Sequence, residues 1–222
     1  MFYDAIENKH GLRHDPFKAL IVPRPIGWVS TVSKAGVANL APYSFFNAVS
    51  EKPNYVVFGS AGIKDSLANI NETGEFVCSL ATYETRFEMN TSSATVPHGV
   101  DEFALSGLTA TASRLIAPPR VKEAPAAFEC KLWKVIELPN VAPSHKVAHF
   151  MVVGLVVGIH IDDRFVKDGM VDTGAMRPIA RLGYMNYGVV EPENVFAINR
   201  PEVVDGRVVN GRPEAAFDGK HR

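Results

Sequence analysis

Arg24 stands between Pro23 and Pro25 in PRPIGWVST (23–31), and Ser30 and Thr31 follow as adjacent hydroxyls. The prolines hold the arginine in extended backbone, and a cation followed by paired hydroxyls at a strand end suits phosphate oxygens. Taken alone, these residues also describe an ordinary strand with a stiffened entry and an exposed arginine. In ANLAPYSFFNAVS (38–50), Asn39, Ser44 and Asn47 are mixed with Tyr43, Phe45 and Phe46, and Pro42 sets a turn among them. Flat heteroaromatic ligands use such mixtures: apolar surface for the rings, amide or backbone groups for the edge. A core strand ending in a polar loop accounts for them as well. The third stretch, GIKDSLANI (62–70), reads as a helix start with Asp65 as N-cap, and Lys64 and Ser66 beside it. Free N–H groups at a helix start favour an anion, with Asp65 turned away from it. Capping alone explains Asp65 and Ser66 too.

These residues need a frame to bring them together. IGWVSTV (26–32) and VANLAPY (37–43) are β-type runs joined by SKAG, a connection of hairpin length. NYVVFGSA (54–61) and EFVCSLA (75–81) are two further strands, and the helix between them places Leu67 and Ile70 on one face and stops at Gly74. TYETRFEMN (82–90) reads as a second short helix anchored by Phe87 and Met89, and GVDEFALSGL (99–108) as a third helical turn ended by Gly107. In FECKLWKVIEL (128–138), Phe128, Cys130, Leu132, Ile136 and Leu138 share the inward phase, while Glu129, Lys131 and Glu137 point outward.

HFMVVGLVVGIHIDD (149–163) is apolar in both phases, so both faces should be covered, one by a closed barrel and the other by a partner subunit. Gly154 and Gly158 mark bends or bulges in it. Residues 1–200 read as one domain, and 201–222, rich in Gly, Pro and charge, as an extended tail. The expected fold is mainly β, an antiparallel barrel with a few short helices. A doubly wound α/β sheet does not fit, because helix and strand patterns do not alternate regularly.

The 222 residues suffice for a core without disulfide or metal support. Their 23 basic and 24 acidic residues nearly cancel, which argues against a nucleic-acid partner. Cys78 and Cys130 form no metal or disulfide pattern and suit a reducing compartment. The N-terminus has no signal-peptide character, and the longest apolar run, Phe150–Ile159, is about half of what a membrane helix needs. A soluble, cytoplasmic protein without a membrane partner is expected. Dinucleotide GxGxxG, P-loop, GxSxG and HExxH patterns are all missing from the sequence. His145 and His149 are four apart, but on a loop running into a strand that spacing does not make a metal site.

In order and spacing, the segments PRPIGWVST, ANLAPYSFFNAVS, KDSLANINETGEFVCSL, GVDEFALSGLT and HFMVVGLVVGIHID, with IARLGYMNYG (179–188), resemble the FMN-binding split-barrel flavoproteins of the flavin reductase-like family. That family includes flavoredoxin and the reductase components of two-component monooxygenases. The resemblance implies a Greek-key-type antiparallel split barrel. It implies that Ser30, Thr31, Lys64 and Ser66 hold the FMN phosphate, beside Asp65, with Arg24 and Trp28 near the same cleft. It further implies that Asn39, Leu40, Ala41, Pro42, Tyr43, Ser44 and Phe45 line the isoalloxazine, in a homodimer. Arg181 is a candidate for the flavin's N1–C2 edge.

The implied activity is electron transfer from NAD(P)H or a protein donor, through FMN, to free flavin, a monooxygenase partner or another acceptor. Where many such reductases carry Gly-Asp-His before the long strand, this chain has Val147, Ala148 and His149, and Leu155 replaces a common Glu. His149 is thus the catalytic candidate. An FMN electron carrier without NAD(P)H activity is the alternative.

Overall fold

The computed structural model describes residues 1–141, 146–209 and 219. Two runs rich in β-branched and aromatic residues form the first hairpin, β1 (Gly27–Val32) and β2 (Ala38–Tyr43), in register from Gly27 opposite Tyr43 to Val32 opposite Ala38. Its turn is closed by the Ser33 amide, which donates to Val37 O at 2.9 Å, and Gly36 supplies the left-handed residue at φ 81°. The remaining long strands are β3 (Phe46–Glu51), β4 (Asn54–Ala61), β5 (Glu75–Leu80), β6 (Ala126–Leu138) and β7 (His149–Ile161). They form one antiparallel sheet in the order β2-β1-β5-β6-β7-β4-β3.

The two edges of that sheet, β2 and β3, are consecutive in the chain, with only Ser44 and Phe45 between them. A joint of two residues cannot bridge a flat seven-stranded sheet, so the sheet must curl into a barrel. Phe45 O accepts the Gly59 amide at 2.8 Å, fastening the joint to β4. The stretch 38–50 is therefore two strands meeting at a corner, where one strand with a polar end was the simpler expectation.

Inside the barrel, Val29, Phe58, Phe76, Cys130 and Val152 pack with Leu67 and Ile70 of α1 (Asp65–Thr73). Gly154 lies where Phe76 crosses β7, and a Cβ there would stand 2.3 Å from Phe76 Cζ. The β6–β7 register shifts next to Gly154 and again before Gly158, so both glycines sit at irregularities. A second cluster, with Trp28, Leu40, Met89, Phe103 and Ile179, joins the barrel to α2 (Arg86–Thr91) and α3 (Glu102–Ser106). A small antiparallel sheet of Arg24–Pro25, Ile179–Arg181 and Tyr187–Val189 lies beside them.

Several expectations are corrected. Lys64, not Asp65, is the N-cap of α1, and it makes no side-chain cap bond. Met89 is buried as an anchor, whereas Phe87 is exposed. Glu129, assigned outward by alternation, is fully buried, because the amides of Arg114 and Leu115 (both 2.7 Å) and the His160 ring converge on it. On β7, Val152 and Val153 are buried, but Ile159 and Ile161 are exposed in the single chain. Within 201–222, Glu202–Val204 and Arg207–Val209 pair as a hairpin. His145, His221 and most of the expected tail beyond 209 lie outside the described residues.

Candidate functional site

A cleft of about 550 Å³ opens at the corner between β2 and β3. Its walls bring together Asn39, Ala41, Pro42, Tyr43, Ser44 and Phe45 from β2 and the joint, Lys64, Asp65 and Ser66 from the start of α1, and His149 from β7. These residues are distant in sequence, and closure of the barrel makes them neighbours.

One end of the cleft carries the features an anion needs. With no side chain capping α1, its first N–H groups remain available next to Lys64. The Asp65 carboxylate is engaged by His98, with Nδ1 2.8 Å from Oδ1. Tyr43 is buried beside Ser60 and Ser66 of the same wall, and burial pushes its pKa up against the opposing pull of those two serine hydroxyls.

Behind this end lies a buried polar network. Ser66 Oγ donates to Asn39 Oδ1 at 2.8 Å, and Thr31 Oγ1 donates to the same oxygen at 3.2 Å. Asn69 Nδ2 donates to Thr31 Oγ1 at 3.0 Å. The Asn39 amide donates to both oxygens of Glu102 at 3.1 Å, and the Leu40 N–H adds a bond of 3.0 Å. Burial raises the Glu102 pKa, against the opposing pull of these donors.

The structure separates other predicted residues from the cleft. Trp28, Ser30, Thr31 and Leu40 are fully buried and do not line it. Ser30 donates to Pro119 O, and Thr31 joins β1 to α1 through Asn69. Trp28 acts at one remove, since its Nε1 donates to Ser92 Oγ at 2.9 Å and Ser92 is in the cleft wall. Arg24 and Arg181 line an adjoining recess. Arg24 is buried, with its guanidinium donating to the carbonyls of Lys18, Ile21 (2.7 Å) and Leu182 (2.9 Å).

Sequence reasoning missed Gly59, Ser60, Glu102, Phe150 and the loop Ser92–Val96, all of which border the cleft. The hydroxyl-rich run SSAT was a visible signal for that loop. Glu102 carried none, because it reads as a first-turn acid on a short helix.

The sheet order and the joint at Ser44 and Phe45 define a split antiparallel barrel with a cleft at its corner. The flavin reductase like domain matches residues 19–188, and the chain belongs to that family. An uncharacterised protein of Aquifex aeolicus is 36% identical over 174 residues, covering 76% of this chain and 85% of that one. The crystal structure of nitrilotriacetate monooxygenase component B from Bacillus cereus matches with a TM-score of 0.79 at 30% identity, over 89% of this chain and 98% of that chain. The 2-nitrobenzoate 2-nitroreductase of Pseudomonas fluorescens matches with a TM-score of 0.73 at 28% identity, over 85% and 91%. Family and structural relatives support a flavin-related oxidoreductase. Among the described residues, no helix is long and apolar enough to cross a membrane, and no cluster of His, Cys, Asp and Glu could hold a metal ion.

Proposed function

We propose that this cleft binds FMN and that the protein is an FMN-dependent oxidoreductase. The observation that carries the reading is the uncapped α1 start, with Lys64 and Ser66 beside it in the wall of a cleft that the Ala41 to Phe45 corner also lines. Lys64, Ser66 and the first amides of α1 would hold the phosphate. Ala41 to Phe45 would support the ring edge, with Asn39 and Glu102 fixing Ser66 from behind. When bound, the isoalloxazine supplies hydride and single-electron chemistry.

NAD(P)H, or a protein donor, would be the reductant, and free flavin, a monooxygenase component or another acceptor would receive the electrons. The similarity to a monooxygenase component B supports such a partner. His149, exposed at the cleft wall, is the side chain we assign to the incoming donor. A second reading, an FMN carrier without NAD(P)H activity, is favoured by Val147 and Ala148, which offer no polar side chain beside His149. A homodimer is supported by the exposed apolar residues Val49 and Trp133 on the outer barrel wall. A cytoplasmic location is supported by Cys78 and Cys130, which are free, buried thiols.

The test is the absorption spectrum of the purified protein, followed by identification of any chromophore released on denaturation. Flavin bands and released FMN are expected. Anaerobic addition of NADH or NADPH then separates the readings: bleaching marks the reductase, and an unchanged spectrum marks the carrier. A protein that remains colourless after incubation with FMN overturns both.

A further inference from the structure

Beyond the main cleft lies a second recess of about 320 Å³, which shares Pro42, Ser44 and Ser93 with it. Lys18, Arg24 and Arg181 give the recess three cations, and none of the described residues lining it is acidic. Arg24 and Arg181 are direct partners across an antiparallel strand pair, a placement in which like charges destabilise the pairing. Burial, and secondarily the charge of Arg181, lower the Arg24 pKa, and an anion between the two cations would relieve both strains. Arg24 is 5% exposed, and while its terminal nitrogens reach three carbonyls, its Nε is buried without a partner. Phe45, on the wall of the main cleft, stacks near this guanidinium at 5.9 Å, so the two spaces meet at one ring.

We propose that this recess is the anchoring site for the acidic group, carboxylate or phosphate, of a small planar second substrate whose reactive end enters the main cleft. Arg181 and Lys18 supply the charge, and Arg24 completes the donor set from below. Arg181 is then a specificity-determining residue, selecting anionic over neutral partners. The proposal rests on the FMN reading for the meaning of the main cleft, but the recess itself is measurable without FMN.

The experiment is isothermal titration of benzoate, benzamide and phenyl phosphate into the protein with and without FMN, with FMN retention followed separately by flavin fluorescence. Benzoate is expected to bind saturably, with benzamide at least about tenfold weaker, as the loss of a charge-assisted bond predicts. Arg181→Gln should weaken benzoate about tenfold, and Lys18→Gln by about threefold, since it is an exposed contact. Tighter binding of phenyl phosphate than of benzoate supports the site and assigns its anion as phosphate. Arg181 also donates to Tyr184 O at 2.6 Å and to the Tyr187 hydroxyl, so thermal unfolding is recorded alongside; if that variant does not fold, Lys18→Gln decides. Equal binding of benzoate and benzamide overturns the proposal. So does unchanged benzoate binding in the folded variants, including the case in which Arg181→Gln loses FMN instead.

Discussion

His98 Nδ1 lies 2.8 Å from Asp65 Oδ1, tying the acid in the first turn of α1 to the loop that carries Gly99 and Val100. The hydrogen bond and charge of Asp65 raise the His98 pKa from its ordinary value. Below that value the imidazolium neutralises Asp65; above it, an uncompensated carboxylate borders the proposed phosphate end. FMN affinity should therefore fall as pH rises through the raised His98 pKa. Fluorescence titration of FMN across pH checks this, and His98→Asn should flatten the profile. A profile unchanged by that substitution removes His98 from the account.

Lys64→Ala should weaken FMN binding by about 10- to 100-fold, corresponding to about 1.5–3 kcal/mol for a hydrogen bond to a charged group. Equilibrium titration with flavin fluorescence measures it. Unchanged affinity would place the phosphate elsewhere.

Glu102 is the acceptor for the Asn39 amide and the Leu40 N–H. Glu102→Ala leaves both donors without a partner in a buried setting and should cost about 2–4 kcal/mol in urea unfolding. Glu102→Gln should cost less, since its carbonyl can still accept from Leu40.

Glu129 is buried, which pushes its pKa up, but the amides of Arg114 and Leu115 and the His160 ring outweigh burial and hold it below the ordinary value. A lowered carboxylate pKa contributes stability that is present above the unfolded value of about 4.3 and is lost as pH falls through the folded value. Glu129→Ala should destabilise by about 3–5 kcal/mol at neutral pH and lose that acid-side dependence. Urea unfolding at several pH values tests both parts.

Gly154→Ala forces a methyl against the Phe76 ring and should cost about 1–3 kcal/mol by overpacking. Combining it with Phe76→Leu should recover part of the loss, read as a shift in Tm.

The main strands, the three helices and the glycine stops of α1 and α3 were legible because period-2 runs and Gly punctuation are local signals. The cleft was legible at Asn39, at Ala41 to Phe45 and at Lys64 to Ser66, where side-chain type and position coincide. Ser30 and Thr31 looked equally suited to an anion, but both are buried, Ser30 against Pro119 O and Thr31 against Asn69 of α1, partners that alternation along β1 cannot reveal. Glu129 was misplaced for a related reason: its partners, Arg114, Leu115 and His160, arrive from other parts of the chain. The role of Phe45 as a corner was also invisible, since a corner exists only once the first and last strands of the sheet meet.

That meeting point joins two kinds of behaviour. The barrel's seam runs through Ser44 and Phe45, and the same two residues wall the cleft. A molecule seated there spans the seam like a clasp, touching β2 on one side and α1 and β7 on the other. Unzipping the barrel and releasing the ligand then become a single event, so ligand concentration should set the melting temperature. Proteolytic resistance of the corner should track occupancy, and the protein without its ligand should open first at this joint.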